Sequence, residues 1–579
     1  MRGPATWVAA AFLAFPGPVV GQDATRALDS IYDAVDEGAA TPAVAIAVLH
    51  HGKIVYHRAA GFANLESGVR ATLDTRFDWA SVSKQFTGFA VARLVEAGRL
   101  APDDPARRYV PELDLSGATI TLEQLLHHTS GLEDSDGLLA LAGWREGDVV
   151  HDEDVVRILA RQQHLRWVPG EQEGYGNGGY ALLAEIVARV TRGSFAAYAD
   201  SAIFRPLGMS SSGFPGTRGT LIPKAAQPYV RDPQAGYVRS RVDGYVGPGG
   251  LYATVDDMMR WAGELLQPRL DAAAVKRIRT PGRLASGEKV PYGWGIGEGT
   301  YRGARRLLHG GSGVATETFF EVFPDLDFAV AAASAAPSIV DPAHVARVAA
   351  DLFLADRLDP PEMPADGPRM TLLTDSMIST PPEEARGLRV PAERLSSICG
   401  AYRFEDGSVR VFRPRDGRLE YAHEGAPPFI PLFPLPDGRF VMMPLRVSYT
   451  FETDERGGGR RVVVETLSRD GEPRREVGEA AEVPRFDAAT AAPYVGWYYS
   501  DELDAAYRVA LGERGLELRH ARHGATPLIP LGMGDAFGVD GQAVVGVTFS
   551  RGKDGTATGL ELKARSWDAR SYFRRVGGP

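Results

Sequence analysis

Residues 77–87 read FDWASVSKQFT and lead directly into a stretch with helical periodicity. Ser81 and Lys84 are three positions apart, so on a helix the hydroxyl and the amine lie on one face. A serine at the start of a helix is also an ordinary N-cap, so the pair alone is weak evidence for a reactive site. Gly98 fits a C-terminal cap, which predicts a helix over residues 84–100.

Two further motifs carry polar groups suited to the same cleft. Tyr175-Gly176-Asn177 follows a PGE turn at 169–171 and precedes a helical pattern over 180–190. Residues 309–312, HGGS, stand where the chain enters a pair of strands, and their glycines would let a substrate approach the backbone closely. Taken singly, these motifs are also consistent with a turn tyrosine, a capping asparagine and a surface histidine.

Two hairpin patterns flank the helical region. Residues 44–49 and 54–56 are apolar runs around a turn at Gly52, and 319–322 and 328–333 are separated by a turn containing PDLD. Strands at both ends with helices between them predict one antiparallel sheet whose strands come from distant parts of the chain. This is an α+β architecture over residues 22–355.

The C-terminal part contains an internal repeat. Four short motifs, beginning at 400, 419, 431 and 449, recur 96 to 98 residues later with similar residues. Alternating strands and glycine-rich turns predict a small antiparallel β-barrel or sandwich for each unit, at 394–486 and 487–579. Residues 356–393 are proline-rich and are interpreted as a linker.

Composition excludes several classes of protein. Asp and Glu (74) outnumber Lys and Arg (64), so a nucleic-acid partner is not expected, since phosphate binding depends on a basic face. Cys399 is the only cysteine, which excludes an intrachain disulfide, and we interpret it as a small buried apolar side chain. His127 and His128 lack companion ligands at zinc spacing and are assigned a structural role. No metal or cofactor is expected.

The N-terminus has the three parts of a secretory signal over residues 1–21. Arg2 is followed by an apolar run over 7–15 and by small residues before Gln22, where we expect cleavage. An uncleaved anchor is the alternative interpretation. The run is about half the ~20 residues needed to cross a bilayer, and no later stretch is apolar enough. We expect a secreted or periplasmic protein without a transmembrane helix in the mature chain.

The order Ser-x-x-Lys, Tyr-x-Asn, His-x-Gly resembles the serine β-lactamase and penicillin-binding-protein-like hydrolases, especially the class C-like branch with its esterases and D-aminopeptidases. The similarity spans about residues 25–355. It implies a β-lactamase/transpeptidase-like domain, and the two following β-barrels, lipocalin-like in form, resemble the plan of the D-aminopeptidases. The loop that narrows the active site in those enzymes is not identifiable here. The surrounding motifs agree: LLHHTSGL at 125–132, PLGM at 206–209 and GGLYAT at 249–254.

The resemblance also implies roles for individual residues. Ser81 would be the nucleophile that forms an acyl-enzyme, and either Lys84 or Tyr175 would be the general base. Asn177 would hold the proton relay and the substrate amide. His309 would contact the Tyr175 hydroxyl or the polar end of the substrate.

An oxyanion hole is expected at the backbone N–H groups of Ser81 and Ser312. Gly310 and Gly311 would let the backbone approach the substrate there.

Two departures from the family pattern concern this cleft. His309 stands where relatives often have a lysine that binds a carboxylate, which argues against an efficient β-lactamase. Gly176 stands where many relatives have serine.

These residues favour a hydrolase that acts on a small amide or ester, with D-amino-acid peptides and amides preferred. A D,D-carboxypeptidase or weak β-lactamase, an esterase, and a non-catalytic protein that binds cell-wall fragments are the alternatives. The partner is expected to be a small molecule or short peptide. Substrate identity, oligomeric state and the balance between hydrolysis and transpeptidation stay open at this stage.

Overall fold

Three folded units follow one another along the chain. The computed structural model describes residues 22–577 except 38–39, 114, 116, 146–147, 216–219, 233–234, 241–245, 338, 361–381, 383–384, 406–407, 416, 424–428, 444–446, 454–459, 468–472, 482–485, 514, 532–534, 540, 542 and 566–568. The expected signal at 1–21 and most of the expected linker at 356–393 therefore lie outside the described residues.

The N-terminal domain combines helices with a central sheet. Its helices are α1 (Gln22–Glu37), α2 (Lys84–Glu96), α3 (Leu122–Leu126), α4 (Ser135–Leu141), α5 (Asp152–Ala160), α6 (Gly178–Thr191), α7 (Phe195–Ala199), α8 (Val255–Leu266), α9 (Ala272–Ile278) and α10 (Pro342–Phe353). Its strands are β1 (Val44–His50), β2 (Lys53–Ala60), β3 (Phe62–Asn64), β4 (Val69–Arg70), β5 (Phe77–Asp78), β6 (Tyr229–Asp232), β7 (Gly236–Arg239), β8 (Tyr252–Ala253), β9 (Gly282–Arg283), β10 (Lys289–Val290), β11 (Gly297–Tyr301), β12 (Ala304–Ser312), β13 (Glu317–Phe323) and β14 (Phe328–Ser334). None of the helices in the described ranges is long and apolar enough to cross a membrane.

The two predicted hairpins form one sheet, as expected for the α+β class. The strand order is β11-β12-β13-β14-β1-β2, and β1 pairs antiparallel with β14, with Ala47 opposite Ala331. Successive side chains of β1 point to opposite faces. Ala45 and Ala47 pack into one apolar core, whereas Ile46 packs into the other. The sheet is therefore covered by helices on both faces.

Helix α2 runs through the centre of the larger core. It begins at Lys84 as predicted and ends at Glu96, because Gly98 adopts a positive φ of 66° and turns the chain. A Cβ at Gly88 would lie 2.0 Å from the Trp294 carbonyl oxygen. The absence of a side chain at Gly88 thus lets α2 approach the segment before β11 closely.

The C-terminal part forms two closed antiparallel barrels of eight strands each. The first barrel follows helix α11 (Ala392–Ile398), and the second follows α12 (Ala488–Ala491). The four repeated motifs occupy equivalent strands, the first, third, fourth and sixth of each barrel, so the repeat predicted from the sequence is confirmed as a duplicated barrel. The first barrel comprises β15 (Gly400–Phe404), β16 (Val409–Arg415), β17 (Arg418–His423), β18 (Ile430–Pro434), β19 (Phe440–Met442), β20 (Val447–Thr453), β21 (Arg460–Leu467) and β22 (Pro473–Ala480). The second comprises β23 (Gly496–Ser500), β24 (Ala505–Gly512), β25 (Gly515–His520), β26 (Gly524–Pro530), β27 (Ala536–Val539), β28 (Val544–Arg551), β29 (Ala557–Ala564) and β30 (Arg570–Val576).

The second barrel packs against α4 of the N-terminal domain. Leu138 on α4 belongs to the same apolar cluster as Leu560 and Phe573 inside the barrel. Polar contacts add to this interface, since the His523 Nε2 atom lies 2.9 Å from the Ala140 carbonyl oxygen. The first barrel contacts the second through a smaller apolar cluster. The sequence had left the placement of both barrels open.

Cys399 lies between α11 and β15. It is half-buried rather than fully buried, and it packs at the margin of the first barrel's core. Burial raises the pKa of its thiol to about 11, so the thiol stays protonated at neutral pH. Cys399 thus packs as a small apolar side chain, as the sequence predicts, but it is less buried than expected.

Candidate active site

Ser81 lies on a tight 3-10 turn, Ala80–Ser83, between β5 and α2. Ala80 adopts a positive φ of 44°, which is unfavourable for a residue with a Cβ. The Asp78 carboxylate accepts a hydrogen bond from the Ala80 N–H at 2.9 Å and supports this conformation. Strained backbone held in place by its surroundings is common at functional sites. Ser81 is half-buried, and the residue at the N-cap position of α2 is Ser83.

Lys84 lies next to the Ser81 hydroxyl, as the three-residue spacing predicts. Its Nζ atom is 3.1 Å from Ser81 Oγ, 2.8 Å from Asn177 Oδ1 and 3.0 Å from the Pro248 carbonyl oxygen. The side chain is fully buried, and burial lowers the pKa of the amine to about 7. The neutral amine, which can accept a proton from Ser81, is therefore well populated at neutral pH.

Tyr175 covers the other side of the serine. Its hydroxyl hydrogen-bonds with the Ser81 hydroxyl, and the centre of its ring lies 4.7 Å from Lys84 Nζ. Burial raises the pKa of the phenol well above its usual value, so the phenolate is strongly disfavoured. Of the two bases that the sequence left open, Lys84 is the one that loses its proton more readily, whereas Tyr175 is placed to pass a proton as a neutral hydroxyl.

Asn177 connects the lysine to two carboxylates that the sequence analysis missed. Its Oδ1 accepts from Lys84, its Nδ2 donates to Asp136 Oδ2 at 2.7 Å, and its backbone N–H donates to Asp134 Oδ2 at 2.8 Å. Asp134 is buried and also caps α4, accepting from the N–H groups of Asp136 and Gly137. The motif EDSDG at 133–137 indicates that Asp134 caps a helix, but it does not indicate that Asn177 binds these carboxylates.

His309 approaches the same cleft from β12. Its Nδ1 atom lies 2.6 Å from the Gly310 carbonyl oxygen, which can only accept, so Nδ1 carries the hydrogen. Burial, reinforced by the charge of Lys84, lowers the pKa of the ring to about 3, so His309 is neutral. Its Nε2 atom therefore accepts from the hydroxyl of Tyr292, at 2.9 Å. This partner was not expected. The rings of Tyr175 and His309 are 6.1 Å apart, centre to centre.

Gly310, Gly311 and Ser312 form the end of β12 beside the serine. The pairing of β12 with β11 ends at Leu308. The Gly313 N–H donates across the hairpin to Thr316, and because successive N–H groups of a strand point to opposite edges, the Ser312 N–H points to the open edge. A Cβ on Gly311 would lie 2.4 Å from the Trp79 carbonyl oxygen. The glycine thus allows the strand to approach the serine turn closely, in addition to any approach by a substrate.

His127 and His128 are both buried and lie behind the site. His127 Nδ1 lies 2.8 Å from the Tyr292 carbonyl oxygen, and His127 Nε2 accepts from Trp294 Nε1 at 3.1 Å. The ring of His128 packs against the ring of Tyr175 at a tilt of 39°, with 4.4 Å between ring centres. Within the described segments no group of three or more acidic, cysteine or histidine side chains is arranged to hold a metal ion. The contacts of both histidines are those of supporting residues.

Comparisons with known proteins find relatives of this chain. The family described as Beta-lactamase matches residues 28–354. Penicillin-binding protein 4* of Bacillus subtilis (strain 168) is 26% identical over 422 residues, which are 70% of this chain and 88% of that protein. The D-aminopeptidase of Brucella canis (strain ATCC 23365 / NCTC 10854 / RM-666) is 27% identical over 295 residues, 49% of this chain and 54% of the enzyme. The similarity therefore spans only about half the length of the D-aminopeptidase.

Among solved structures, the octameric penicillin-binding protein homologue from Pyrococcus abyssi has a similar fold. Its TM-score is 0.52 at 22% sequence identity, and the match covers 78% of this chain and 99% of that one. At this level of identity the similarity concerns the fold alone.

Proposed function

Since the chain belongs to the beta-lactamase family and is a serine hydrolase, we propose that Ser81 forms an acyl-enzyme with a small amide or ester, with amides and peptides of D-amino acids as preferred substrates. The observation that carries the proposal is the position of the Ser81 hydroxyl, between the buried Lys84 amine at 3.1 Å and the Tyr175 hydroxyl.

The reaction follows from these contacts. Neutral Lys84 accepts the Ser81 proton as Oγ bonds to the substrate carbonyl carbon, and the carbonyl oxygen becomes an oxyanion. The backbone N–H groups of Ser81 and Ser312 would stabilise that charge. As the bond to the leaving amine or alcohol breaks, the proton passes from Lys84, directly or through Tyr175, to the leaving group. Water then attacks the acyl carbon and gives one proton to Lys84. The bond between that carbon and Ser81 Oγ breaks, Oγ takes the proton back from Lys84, and the carboxylic acid product leaves.

The neutral His309 bears on the choice of substrate. A lysine at this position would offer a carboxylate a positive point charge, whereas a neutral imidazole with Nδ1 and Nε2 both engaged does not. A substrate without a free carboxylate beside the scissile bond is therefore favoured, which supports an amide or ester over a β-lactam or the C-terminal D-alanine of a peptide.

A D,D-carboxypeptidase or weak β-lactamase is the second candidate. The similarity to penicillin-binding protein 4*, over 88% of that protein, favours it. An esterase would use the same residues without stereochemical preference at an amine-bearing carbon. A protein that only binds cell-wall fragments is disfavoured, because a buried amine beside a serine on a strained turn has an energetic cost that binding alone does not explain.

We also propose that the protein is exported, on the basis of the signal pattern in residues 1–21. N-terminal sequencing of the protein recovered from the periplasm or medium would test this, and cleavage near Gln22 is expected. Recovery of the intact N-terminus in the cytoplasm would contradict it.

The decisive experiment is intact-protein mass spectrometry after incubation with a fluorophosphonate probe. We expect a single adduct on Ser81 in the native protein and none in Ser81→Ala. Turnover of D-alanine amide, L-alanine amide, a p-nitrophenyl ester and nitrocefin then separates the candidates. Preference for the D-amide supports the proposal, whereas turnover of the ester alone indicates an esterase and turnover of nitrocefin a β-lactamase. A folded protein without any adduct would contradict the hydrolase mechanism.

A further inference from the structure

Two carboxylates lie behind Asn177, on the side away from Ser81, and they have different contacts. Asp134 binds backbone N–H groups, those of Asp136, Gly137 and Asn177. Asp136 accepts from the side-chain amide of Asn177. The first carboxylate therefore caps α4 and fixes the start of α6, whereas the second acts on the group that touches the lysine.

The contact with Asp136 determines which way the Asn177 amide faces. Its NH₂ group points to a carboxylate, which only accepts, and its oxygen points to the lysine amine, which donates. In the flipped orientation the NH₂ group would face the ammonium, and the oxygen would face the carboxylate. Both contacts would be repulsive, so Asp136 holds the amide oxygen 2.8 Å from Lys84 Nζ.

The charged and titratable groups around Lys84 come from several elements. Asp134 and Asp136, from the start of α4, favour its ammonium form. His128 and His309 are kept neutral by burial and by the charge of the lysine itself. Tyr175 and Tyr180 present the faces of their rings, with protonated hydroxyls. Asp136 has the larger effect on the lysine, because burial and the neighbouring Asp136 charge raise the pKa of Asp134 to about 7 and leave Asp134 partly protonated at neutral pH.

We propose that Asp136 is a positioning residue for the reaction: it orients the Asn177 amide towards Lys84 and holds a carboxylate one side chain away from the lysine amine. This inference rests on the proposed acyl-enzyme mechanism, in which Lys84 accepts the Ser81 proton. Burial alone would drive the amine far towards its neutral form, and the nearby charge opposes this.

The test measures the rate at which the fluorophosphonate probe labels Ser81 between pH 5 and 9. Asp136→Asn keeps the shape and an acceptor oxygen but removes the charge. We expect the midpoint of the rate's rise with pH to move down by about half a unit, because a charge that favours the ammonium is gone, while fuller ionisation of Asp134 offsets part of the change. Asp136→Glu keeps the charge and should keep the midpoint of the native protein. Asp136→Ala removes both the charge and the acceptor for the amide, so we expect the same fall of the midpoint as in Asp136→Asn and a rate above the midpoint about tenfold lower than in that variant.

Glu153→Gln is the matched control. Glu153 is exposed on α5, and its substitution removes one negative charge without touching Asn177. The pH midpoint of the labelling rate in this variant should stay within about 0.2 units of the midpoint in the native protein, since an exposed charge is screened by solvent. Circular dichroism and thermal melts of each variant establish that it is folded.

Several results would overturn the inference. A folded Asp136→Asn variant with an unchanged midpoint would show that the charge does not act on the lysine. A midpoint that falls equally in Asp136→Asn and Asp136→Glu would assign the effect to altered packing. If Asp136→Asn fails to fold, the test uses the labelling rates of Asp136→Glu and Asp136→Ala. Equal rates in these two variants would show that the carboxylate which accepts from the Asn177 amide has no role in acylation. An unlabelled native protein would instead contradict the proposed function.

Discussion

The Tyr507 hydroxyl of the second barrel donates a hydrogen bond to the Leu141 carbonyl oxygen, the last residue of α4, at 3.1 Å. The tyrosine is almost fully buried, and the carbonyl lies at the helix end, where the helix itself provides no donor. The opposite end of α4 carries Asp134 and Asp136, which hold Asn177. The barrel thus contacts a helix whose other end supports the reactive site.

Tyr507→Phe should therefore weaken the interface. Removing one buried hydrogen bond and leaving the Leu141 carbonyl unpaired is expected to lower the free energy of unfolding by about 1 kcal/mol. Urea titration followed by circular dichroism measures this. Tyr499→Phe is the control, since its hydroxyl bonds Asp504 at the surface and its loss should cost less than about 0.5 kcal/mol. Equal losses in both variants would show that the Tyr507 contact adds nothing.

The pH dependence of acylation should be that of Lys84. Its pKa is lowered to about 7, so below that pH the amine is protonated and cannot accept the Ser81 proton, and the labelling rate should fall as pH drops through 7. The pKa of Tyr175 is raised and that of His309 lowered to about 3, so neither titrates near neutrality. Burial raises the pKa of Asp134 to about 7, and its charge favours the ammonium form of Lys84, so the observed midpoint includes the ionisation of both groups. The arginine in Lys84→Arg stays protonated, so the fluorophosphonate probe should label Ser81 about 10²- to 10⁴-fold more slowly in this variant. A native rate that is flat from pH 5 to 9 would exclude Lys84 as the base.

Gly311→Ala should separate β12 from the serine turn. The new Cβ would lie 2.2 Å from Thr318 Oγ1 and 2.4 Å from the Trp79 carbonyl oxygen, so the strand must move. We expect a loss of about 1–3 kcal/mol in stability and a slower acylation of Ser81. Gly299→Ala is the control, because its Cβ would make an ordinary contact at 3.6 Å with Leu308. Thermal melts and labelling rates compare the two, and similar behaviour would contradict the predicted clash.

Tyr292→Phe should loosen the His309 ring. The phenol donates to Nε2, so its loss leaves a buried nitrogen unpaired and the ring held only by the hydrogen bond from Nδ1 to Gly310. We expect a decrease of about tenfold in kcat/KM for a p-nitrophenyl ester, equivalent to about 1.4 kcal/mol. Tyr301→Phe, at the opposite end of β11, where the hydroxyl bonds Asp351, should keep the native value. An unchanged kcat/KM in Tyr292→Phe would show that the contact has no part in turnover.

Much of the fold could be predicted from local patterns. The hairpins around Gly52 and Asp327 and the start of α2 at Lys84 follow from apolar periodicity and turn residues. Asp134 and Tyr292 could not be predicted as site residues, because buried polar partners leave no periodic signal. The same is true of the contact between the second barrel and α4, where both surfaces resemble ordinary core positions.

The sequence by itself determined the order of the three units, the doubling of the barrel and the pairing of Ser81 with Lys84, since these depend on spacing along one segment or on repetition. Only the tertiary structure decided the proton affinity of Lys84, the neutral state of His309 and the orientation of Asn177. These properties arise from desolvation and from groups that are distant in sequence, such as Asp136 and Asn177, and burial and charge proximity exist only after the chain has folded.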